Sequence, residues 1–213
     1  MKGLIQTATT FIAVCTAVFV HAQSDNLSSL VPALKQGGYV LVVRHGATDP
    51  SQTDVYPLSS DMTKQRQLSE PGREIAKQMG AALKKLSVPI GNVYTSQLNR
   101  AVETGTLLAG KNVTAKQELN DSSMGSTSAM AGPSGGGSQK HGEALRKMAS
   151  TPPVPATNTI IVTHKTNVLD AFGQEVADIK EGEALVFKPD ASGNPNRIAR
   201  IQASDWTRVA GGS

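Results

Sequence analysis

The apolar run Tyr39–Val43 is followed at once by Arg44–Gly46, whose sequence is Arg-His-Gly. A short, continuous apolar run of this kind is typical of a strand buried on both faces, as in a parallel sheet. A second such run, Thr159–Thr163, ends at His164. Open α/β sheets bind ligands beyond the carboxyl ends of their strands. The chain is therefore expected to fold around a sheet that presents two histidines at such ends.

Helical and extended patterns alternate along the rest of the chain. Ser69 is expected to cap a helix from about Pro71 to Leu86, and Thr95 or Ser96 to cap the next helix, which ends near Leu108. The other predicted helices are 26–35, 139–149 and 166–172, and the other predicted strands are 92–95, 113–116, 183–188 and 197–203. This alternation predicts a single-domain three-layer α/β/α sandwich with a mainly parallel sheet.

Two polar segments interrupt this pattern. Residues 48–65 form a long polar connection, and loops of that length are often functional. Residues 121–138 are rich in Ser, Gly, Ala and Met, and three consecutive glycines cannot hold one conformation cheaply. We expect this second segment to be a flexible loop over the site, or alternatively a surface loop without a role.

The amino terminus has the pattern of a secretory signal peptide. Lys2 precedes the apolar stretch Leu4–Val20, and small residues before a cleavage point follow at Val20–Ala22. A membrane anchor is the alternative, but the stretch is short for a span and polar residues follow at once. We expect residues 1–22 to be removed, leaving a domain of 23–213 that is exported to the periplasm or secreted, without a stable membrane anchor.

Composition excludes several classes of protein. The only cysteine is Cys15, inside the expected signal peptide, so the mature chain has no disulfide framework, thiol nucleophile or cysteine-bound metal. The net charge of +4 comes from dispersed residues with no basic tract, which argues against nucleic-acid binding. The sequence has no metal-ligand spacing and no nucleotide-binding glycine loop, so no metal or other cofactor is expected.

The residues at the strand and helix ends suit a phosphate. A neutral imidazole such as His45 is a nucleophile at pH 7. The guanidinium groups of Arg44 and Arg100 can hold phosphoryl oxygens by paired hydrogen bonds. A small phosphorylated molecule is therefore the expected ligand.

Four motifs occur in order: Arg44–Gly46, the helix entry Leu68–Arg73, the segment Ser96–Thr104, and the strand-borne His164. Together they resemble the histidine phosphatase superfamily, also called phosphoglycerate mutase-like, in an exported bacterial form. The similarity covers most of the chain after the first forty residues. It implies a phosphoglycerate mutase-like fold and a phosphohistidine mechanism.

The same resemblance implies a role for each matching residue. His45 would be the nucleophile, and Arg44, Arg100 and His164 would bind the phosphoryl group. Gly46 would let the backbone approach the phosphate closely. The family usually has a small residue after the second histidine, where this chain has Lys165, which is expected to add charge or restrict substrate size.

The general acid is expected in the segment after the second arginine. Asp121 is the candidate and Glu118 its rival. The alternative is that both are solvated loop residues. Without an acid, only good leaving groups or phosphohistidine would be hydrolysed quickly.

The sequence thus predicts a metal-independent phosphatase of the histidine acid phosphatase type, acting on phosphomonoesters or phosphohistidine. One alternative is an envelope protein that binds a phosphorylated ligand without catalysis. A phosphoglycerate mutase-type phosphotransferase is less favoured, because of the expected export and because no Glu with a following Tyr-Gly pair is present.

Overall fold

The computed structural model describes residues 21–55, 57–124, 136–190 and 192–212, with only the backbone for 21–26 and 136–138. These residues form one α/β domain around a six-stranded sheet. The helices are α1 (His21–Gln36), α2 (Glu70–Lys85), α3 (Asn99–Ala109), α4 (Gly136–Ala149), α5 (Lys165–Phe172) and α6 (Ala203–Gly211). The strands are β1 (Val40–Arg44), β2 (Ile90–Thr95), β3 (Thr114–Ala115), β4 (Asn158–Thr163), β5 (Ala184–Pro189) and β6 (Pro195–Ile201).

The sheet has the strand order β3-β2-β4-β1-β5-β6. The first four of these strands are parallel to their neighbours, β5 is antiparallel to β1, and β5 and β6 form an antiparallel hairpin. The mainly parallel sheet is therefore confirmed, with the antiparallel strands collected at one edge.

The two faces of the sheet are covered by separate groups of helices. On one face α1, α2, α3 and α6 pack with alternate strand residues such as Leu41 and Val43. On the other face α4 and α5 pack with Val40 and Val42. Because β1 is apolar at every one of these positions, it is buried on both sides, and the predicted three-layer sandwich is confirmed.

The start of α2 is fixed against the segment that follows β1. The Ser69 hydroxyl accepts a hydrogen bond from the Gly72 N–H, as predicted for the cap of this helix. A Cβ on Gly72 would lie 2.1 Å from the carbonyl oxygen of Ala47. The helix can approach this closely only because position 72 lacks a side chain.

Some boundaries differ from the sequence expectations. α3 is capped by Leu98 and begins at Asn99, so the prediction that Thr95 or Ser96 caps it was wrong. The helix α6 was not predicted. The expected loop 121–138 is interrupted at both ends, since Met124 bonds back to Asp121 in a turn and α4 begins at Gly136. Residues 125–135 of that loop lie outside the described residues.

The predicted signal peptide falls almost wholly on residues 1–20, which lie outside the described residues. Within the ranges given above, every helix is too short or too polar to cross a membrane.

Candidate active site

The register of the sheet brings the two strand-end histidines together. Arg44 of β1 pairs with Thr163 of β4, and the His45 N–H donates to the Thr163 carbonyl. The next residues along the two strands are therefore neighbours, and the ring centroids of His45 and His164 lie 5.1 Å apart. Both rings are almost fully buried.

The ring of His45 is held in one tautomer. Its Nδ1 lies 2.8 Å from the Gly46 carbonyl oxygen, which can only accept, so Nδ1 carries the proton and Nε2 the lone pair. The Arg100 Nε–H donates to that Nε2 across 3.3 Å. Burial lowers the pKa of His45 to about 3, and the charge of Arg100 acts in the same direction. The ring is consequently neutral at pH 7.

Arg100 lies in the first turn of α3, and its side chain is only 1% exposed. Its Nη1 bonds both carboxylate oxygens of Asp54, at 2.9 and 2.8 Å. Its Nη2 lies 3.5 Å from an oxygen of Asp121. A surface salt bridge from Arg100 to Glu103 is not formed, because Glu103 pairs with Arg73 of α2 at 2.6 Å.

Arg44 directly precedes His45, and its guanidinium is fixed by residues 179 and 181. Its Nη1 donates to the Ile179 carbonyl at 2.8 Å, and its Nη2 pairs with Glu181 at 3.2 Å. Its buried Nε has no hydrogen-bond partner among the described residues. Of the three nitrogens of the Arg44 guanidinium, only Nε is therefore without any partner in the described part of the chain.

Arg66 is a site residue that the sequence reasoning missed. Its N–H donates to Asp54, the carboxylate that pairs with Arg100, and its charge lowers the pKa of His45, His164 and Arg100. Its Nε is likewise buried without a partner among the described residues. The available signal was its position two residues before Leu68, at the end of the long polar loop.

His164 caps the start of α5 with its ring directed into the site. Its Nε2 lies 2.7 Å from the Ser96 hydroxyl. Its Nδ1 is 3.8 Å from Asp121, too far for a hydrogen bond, and has no other partner in the described part of the chain. Burial lowers the pKa of His164 well below its usual value, and the nearby His45 acts in the same direction. The predicted second histidine is thus neutral, with one ring nitrogen unsatisfied.

Asp121 lies between His164 and Arg100, as an acid candidate should. Burial raises the pKa of its carboxyl, but attraction to the His164 ring and hydrogen bonds from Ser123 and Thr166 hold that pKa well below its usual value. Because burial keeps His164 neutral, the contacts that favour the ionised carboxyl at pH 7 are these hydrogen bonds and the positive charge of Arg100, whose Nη2 lies 3.5 Å away. An ionised carboxylate has no proton to donate, so these contacts support a positioning role more than an acid role, which stays a prediction.

The Glu118 carboxylate is not among the groups that contact His45 or His164. Its carboxylate pairs with Lys116 at 3.5 Å, and nearly half of its side chain is exposed. Lys165 begins α5 with an exposed side chain, so its role in substrate binding also stays a prediction.

Gly46 has a role in packing. Its N–H donates to the Thr104 hydroxyl. A Cβ at this position would lie 3.0 Å from the Gly72 carbonyl oxygen. The absence of a side chain therefore serves the packing of this segment against α2, and the expected close approach of its backbone to a phosphate stays a prediction.

No group of three or more His, Cys, Asp or Glu side chains that could hold a metal ion occurs in the described ranges. Buried nitrogens of Arg44, Arg66 and His164 have no partner in the described part of the chain. The two arginine Nε–H groups are donors, and His164 Nδ1 is a donor in the tautomer whose Nε2 accepts from the Ser96 hydroxyl. Buried donors are normally satisfied, and in that tautomer an anion would satisfy all three.

Comparison with known proteins agrees with this geometry. The family model described as "Histidine phosphatase superfamily (branch 1)" matches residues 40–156, which contain β1, the start of α2 and α3. No curated protein is significantly similar to the chain in sequence.

Several solved structures share the fold. YhfR of Bacillus stearothermophilus has a TM-score of 0.58 at 17% identity, over 79% of this chain and 98% of its own. The alpha-ribazole phosphatase of Shigella flexneri has a TM-score of 0.55 at 16% identity, over 78% and 96%. The protein histidine phosphatase SixA, solved with tungstate, has a TM-score of 0.51 at 18% identity, over 78% and 98%. The family model, the fold and the paired histidines lead to one conclusion: the chain belongs to the histidine phosphatase superfamily.

Proposed function

We propose that the chain is a metal-independent phosphatase that hydrolyses small phosphomonoesters or phosphohistidine through a phosphohistidine on His45. The observation that carries this proposal is the lone pair on Nε2 of His45. The His45 ring is neutral and buried, and this lone pair faces the guanidinium of Arg100.

The unsatisfied donors support a phosphoryl group in front of that lone pair. Arg44 Nε, Arg66 Nε and His164 Nδ1 are buried around His45 without partners in the described part of the chain. Together with Arg100 they supply donors from four side chains, three of them positively charged. Such donors stabilise the charge that develops on the oxygens during transfer.

The proposed reaction has two steps. His45 Nε2 gives up its hydrogen bond from Arg100 Nε and attacks phosphorus. A P–N bond forms while the P–O bond to the leaving group breaks, and the leaving oxygen takes the electron pair. Water then attacks the same phosphorus, the P–N bond breaks, and the pair returns to Nε2 as inorganic phosphate leaves. Nδ1 keeps its proton throughout because the Gly46 carbonyl holds it.

An ionised Asp121 narrows the proposed substrates. With no proton held on that carboxyl, leaving groups that need none are hydrolysed fastest, such as phenolates and the imidazole of phosphohistidine. The similarity of fold to the protein histidine phosphatase SixA is compatible with this choice but does not establish a substrate.

The test is phosphate release from p-nitrophenyl phosphate by the purified protein, with and without a chelator. We expect chelator-resistant activity that falls by about three orders of magnitude or more in His45→Ala. His141→Ala, which changes a histidine of α4 away from the site, is the matched control and keeps full activity.

A rapid quench after mixing with substrate tests the intermediate directly. The wild type should yield an acid-labile, base-stable phosphoprotein that His45→Ala does not form. A folded wild type that binds phosphate but releases none would support the non-catalytic alternative. Transfer between positions of one substrate without release would support a mutase.

We further propose that the protein is exported after cleavage behind Ala22. The support is the pattern of the first 22 residues in the sequence alone. The mass of the protein recovered from expressing cells tests this, with an amino terminus at Gln23 expected and an intact Met1 or Lys2 contradicting it.

A further inference from the structure

The carboxylates of Asp54 and Asp121 lie beside the guanidinium of Arg100, which the proposed function assigns to phosphate binding. Asp54 holds Arg100 Nη1 with both of its oxygens, and Asp121 lies 3.5 Å from Nη2. Since Nε donates to His45, every nitrogen of the Arg100 guanidinium already has a neighbour to bond. Nη2 keeps a second N–H for a ligand, whereas both oxygens of Asp54 lie on Nη1. A phosphoryl oxygen can therefore bind Nη1 only if Asp54 moves away.

Asp121 is the more firmly held of the two. It accepts hydrogen bonds from the Ser123 N–H and hydroxyl at 3.1 and 2.7 Å and from the Thr166 hydroxyl at 2.8 Å. Besides Arg100, the only partner of Asp54 recorded among the described residues is the Arg66 N–H at 3.1 Å. Asp54 is therefore the carboxylate that gives way.

The position of Asp54 in the fold allows this movement. It belongs to the polar segment 48–65, in which the described residues form only a bridge at Thr48 and a short 3-10 turn at Met62–Lys64. Its side chain is 18% exposed, whereas that of Arg100 is 1% exposed. The carboxylate can swing toward solvent while the guanidinium stays in place.

We propose that Asp54 competes with phosphate for Nη1 of Arg100 and must be displaced before a phosphoryl oxygen binds there. The proposal rests on the proposed function, since it requires that phosphate binds at Arg100. Asp54 forms an ion pair with Arg100, and a ligand must take the place of this carboxylate in order to bind.

The contacts of Asp54 determine the cost of displacement. An anion that displaces Asp54 replaces its contact with Arg100 and breaks its contact with the Arg66 N–H. Every anion that binds at Nη1 meets this same cost, so the wild-type protein binds each of them more weakly by the same factor.

Displacement also releases donors for the entering ligand. Arg100 Nη1 becomes free, and so does the Arg66 N–H, next to an Arg66 Nε that already has no partner in the described ranges. The same movement that removes the competing anion thus completes the set of donors around a phosphoryl group.

Calorimetric titration with inorganic phosphate and with dimethyl phosphate tests the proposal on the folded protein, without substrate turnover. We expect Asp54→Asn and Asp54→Ala to bind phosphate roughly tenfold more tightly, because removing a competing closed state raises the apparent affinity. Dimethyl phosphate should gain by the same factor, because both anions displace the same carboxylate.

Asp49→Asn is the matched control. It removes the same charge from the same segment, but the Asp49 carboxylate bonds only to Ser51 in its own turn among the described residues. Wild-type affinities are expected for it. Circular dichroism melting curves confirm that each variant is folded.

Phosphate binding by Asp54→Asn and Asp54→Ala that is no tighter than in the wild type would overturn the proposal. A gain confined to inorganic phosphate would also overturn it, because it indicates repulsion of the dianion by a carboxylate that stays in place. Either result leaves the proposed phosphatase intact, whereas failure of that function appears separately, as a wild type that neither binds phosphate nor releases it from p-nitrophenyl phosphate.

Discussion

Three side chains around the candidate phosphate site each use one polar atom as an anchor and direct another toward the site. His45 is anchored through Nδ1 to Gly46, His164 through Nε2 to Ser96, and Arg44 through Nη1 to Ile179. The remaining nitrogens point into the site with little freedom to turn away. A site built in this way is arranged before the ligand arrives, which is the condition under which hydrogen-bond donors accelerate a reaction most.

Arg100→Lys tests the importance of the guanidinium geometry. The three nitrogens of Arg100 face three different partners, and a single ammonium group cannot reproduce that arrangement. We expect the inhibition constant of inorganic phosphate to rise by roughly tenfold or more. Arg73→Lys, which alters a pair with Glu103 between α2 and α3, is the control. Unchanged inhibition by phosphate in Arg100→Lys would show that Arg100 does not bind phosphate.

Asp121→Asn separates a proton donor from a positioning carboxylate. Because the contacts of Asp121 favour its ionised form, we expect the variant to slow an alkyl phosphate and p-nitrophenyl phosphate by similar factors. Glu118→Gln, whose carboxylate pairs with Lys116, should match the wild type. A much larger loss on the alkyl phosphate would restore Asp121 as the general acid.

At the scale of elements, the start of α2 positions the loop that carries His45. Gly72→Ala places a methyl group against the Ala47 carbonyl, at a distance where backbone atoms must shift. We expect a loss of about 1–3 kcal/mol in the free energy of unfolding, together with reduced activity, since Gly46 packs on the same turn. Chemical denaturation and phosphate release measure the two effects. Gly211→Ala near the end of α6, where nothing lies within 4 Å of an added Cβ, is the control and should change neither.

The two helix caps show how far local sequence could predict these elements. Ser69 caps α2 as expected because a serine three residues before a helical N–H needs no tertiary help. Ser96 has the same chemistry, yet its hydroxyl bonds His164, and α3 begins three residues later. The helix α6 was missed because its capping box uses Gln202 with Asp205 in place of a residue type that signals a helix start.

At the scale of the whole molecule, two buried neutral histidines make stability depend on pH. Burial lowers the pKa of both His45 and His164 in the folded state. As the pH falls below about 6.5 the unfolded chain takes up protons that the folded protein does not, so the free energy of unfolding decreases. The expected loss is up to about 1.4 kcal/mol per pH unit for each histidine.

Urea unfolding at a series of pH values between about 7 and 4.5 measures this loss. The low pKa of Asp121 contributes only below about pH 4, outside this window. We expect His45→Gln to reduce the slope by about half, and His141→Gln to keep the wild-type slope. A slope that is the same in His45→Gln and the wild type would contradict the neutral, buried state of His45.

The sequence by itself determined the elements and the pair of histidines. A continuous apolar run predicts a buried strand wherever it occurs, and a histidine directly after such a strand has to lie at the edge of the sheet. These are properties of neighbouring residues, so no knowledge of the fold was required. The tertiary structure decided which donors remain free, because the anchors of Arg44, Arg66 and Asp121 come from distant parts of the chain. The hydrogen bonds that hold Asp121 ionised and the ion pair of Asp54 with Arg100 join loops whose approach only the packed sheet and helices impose.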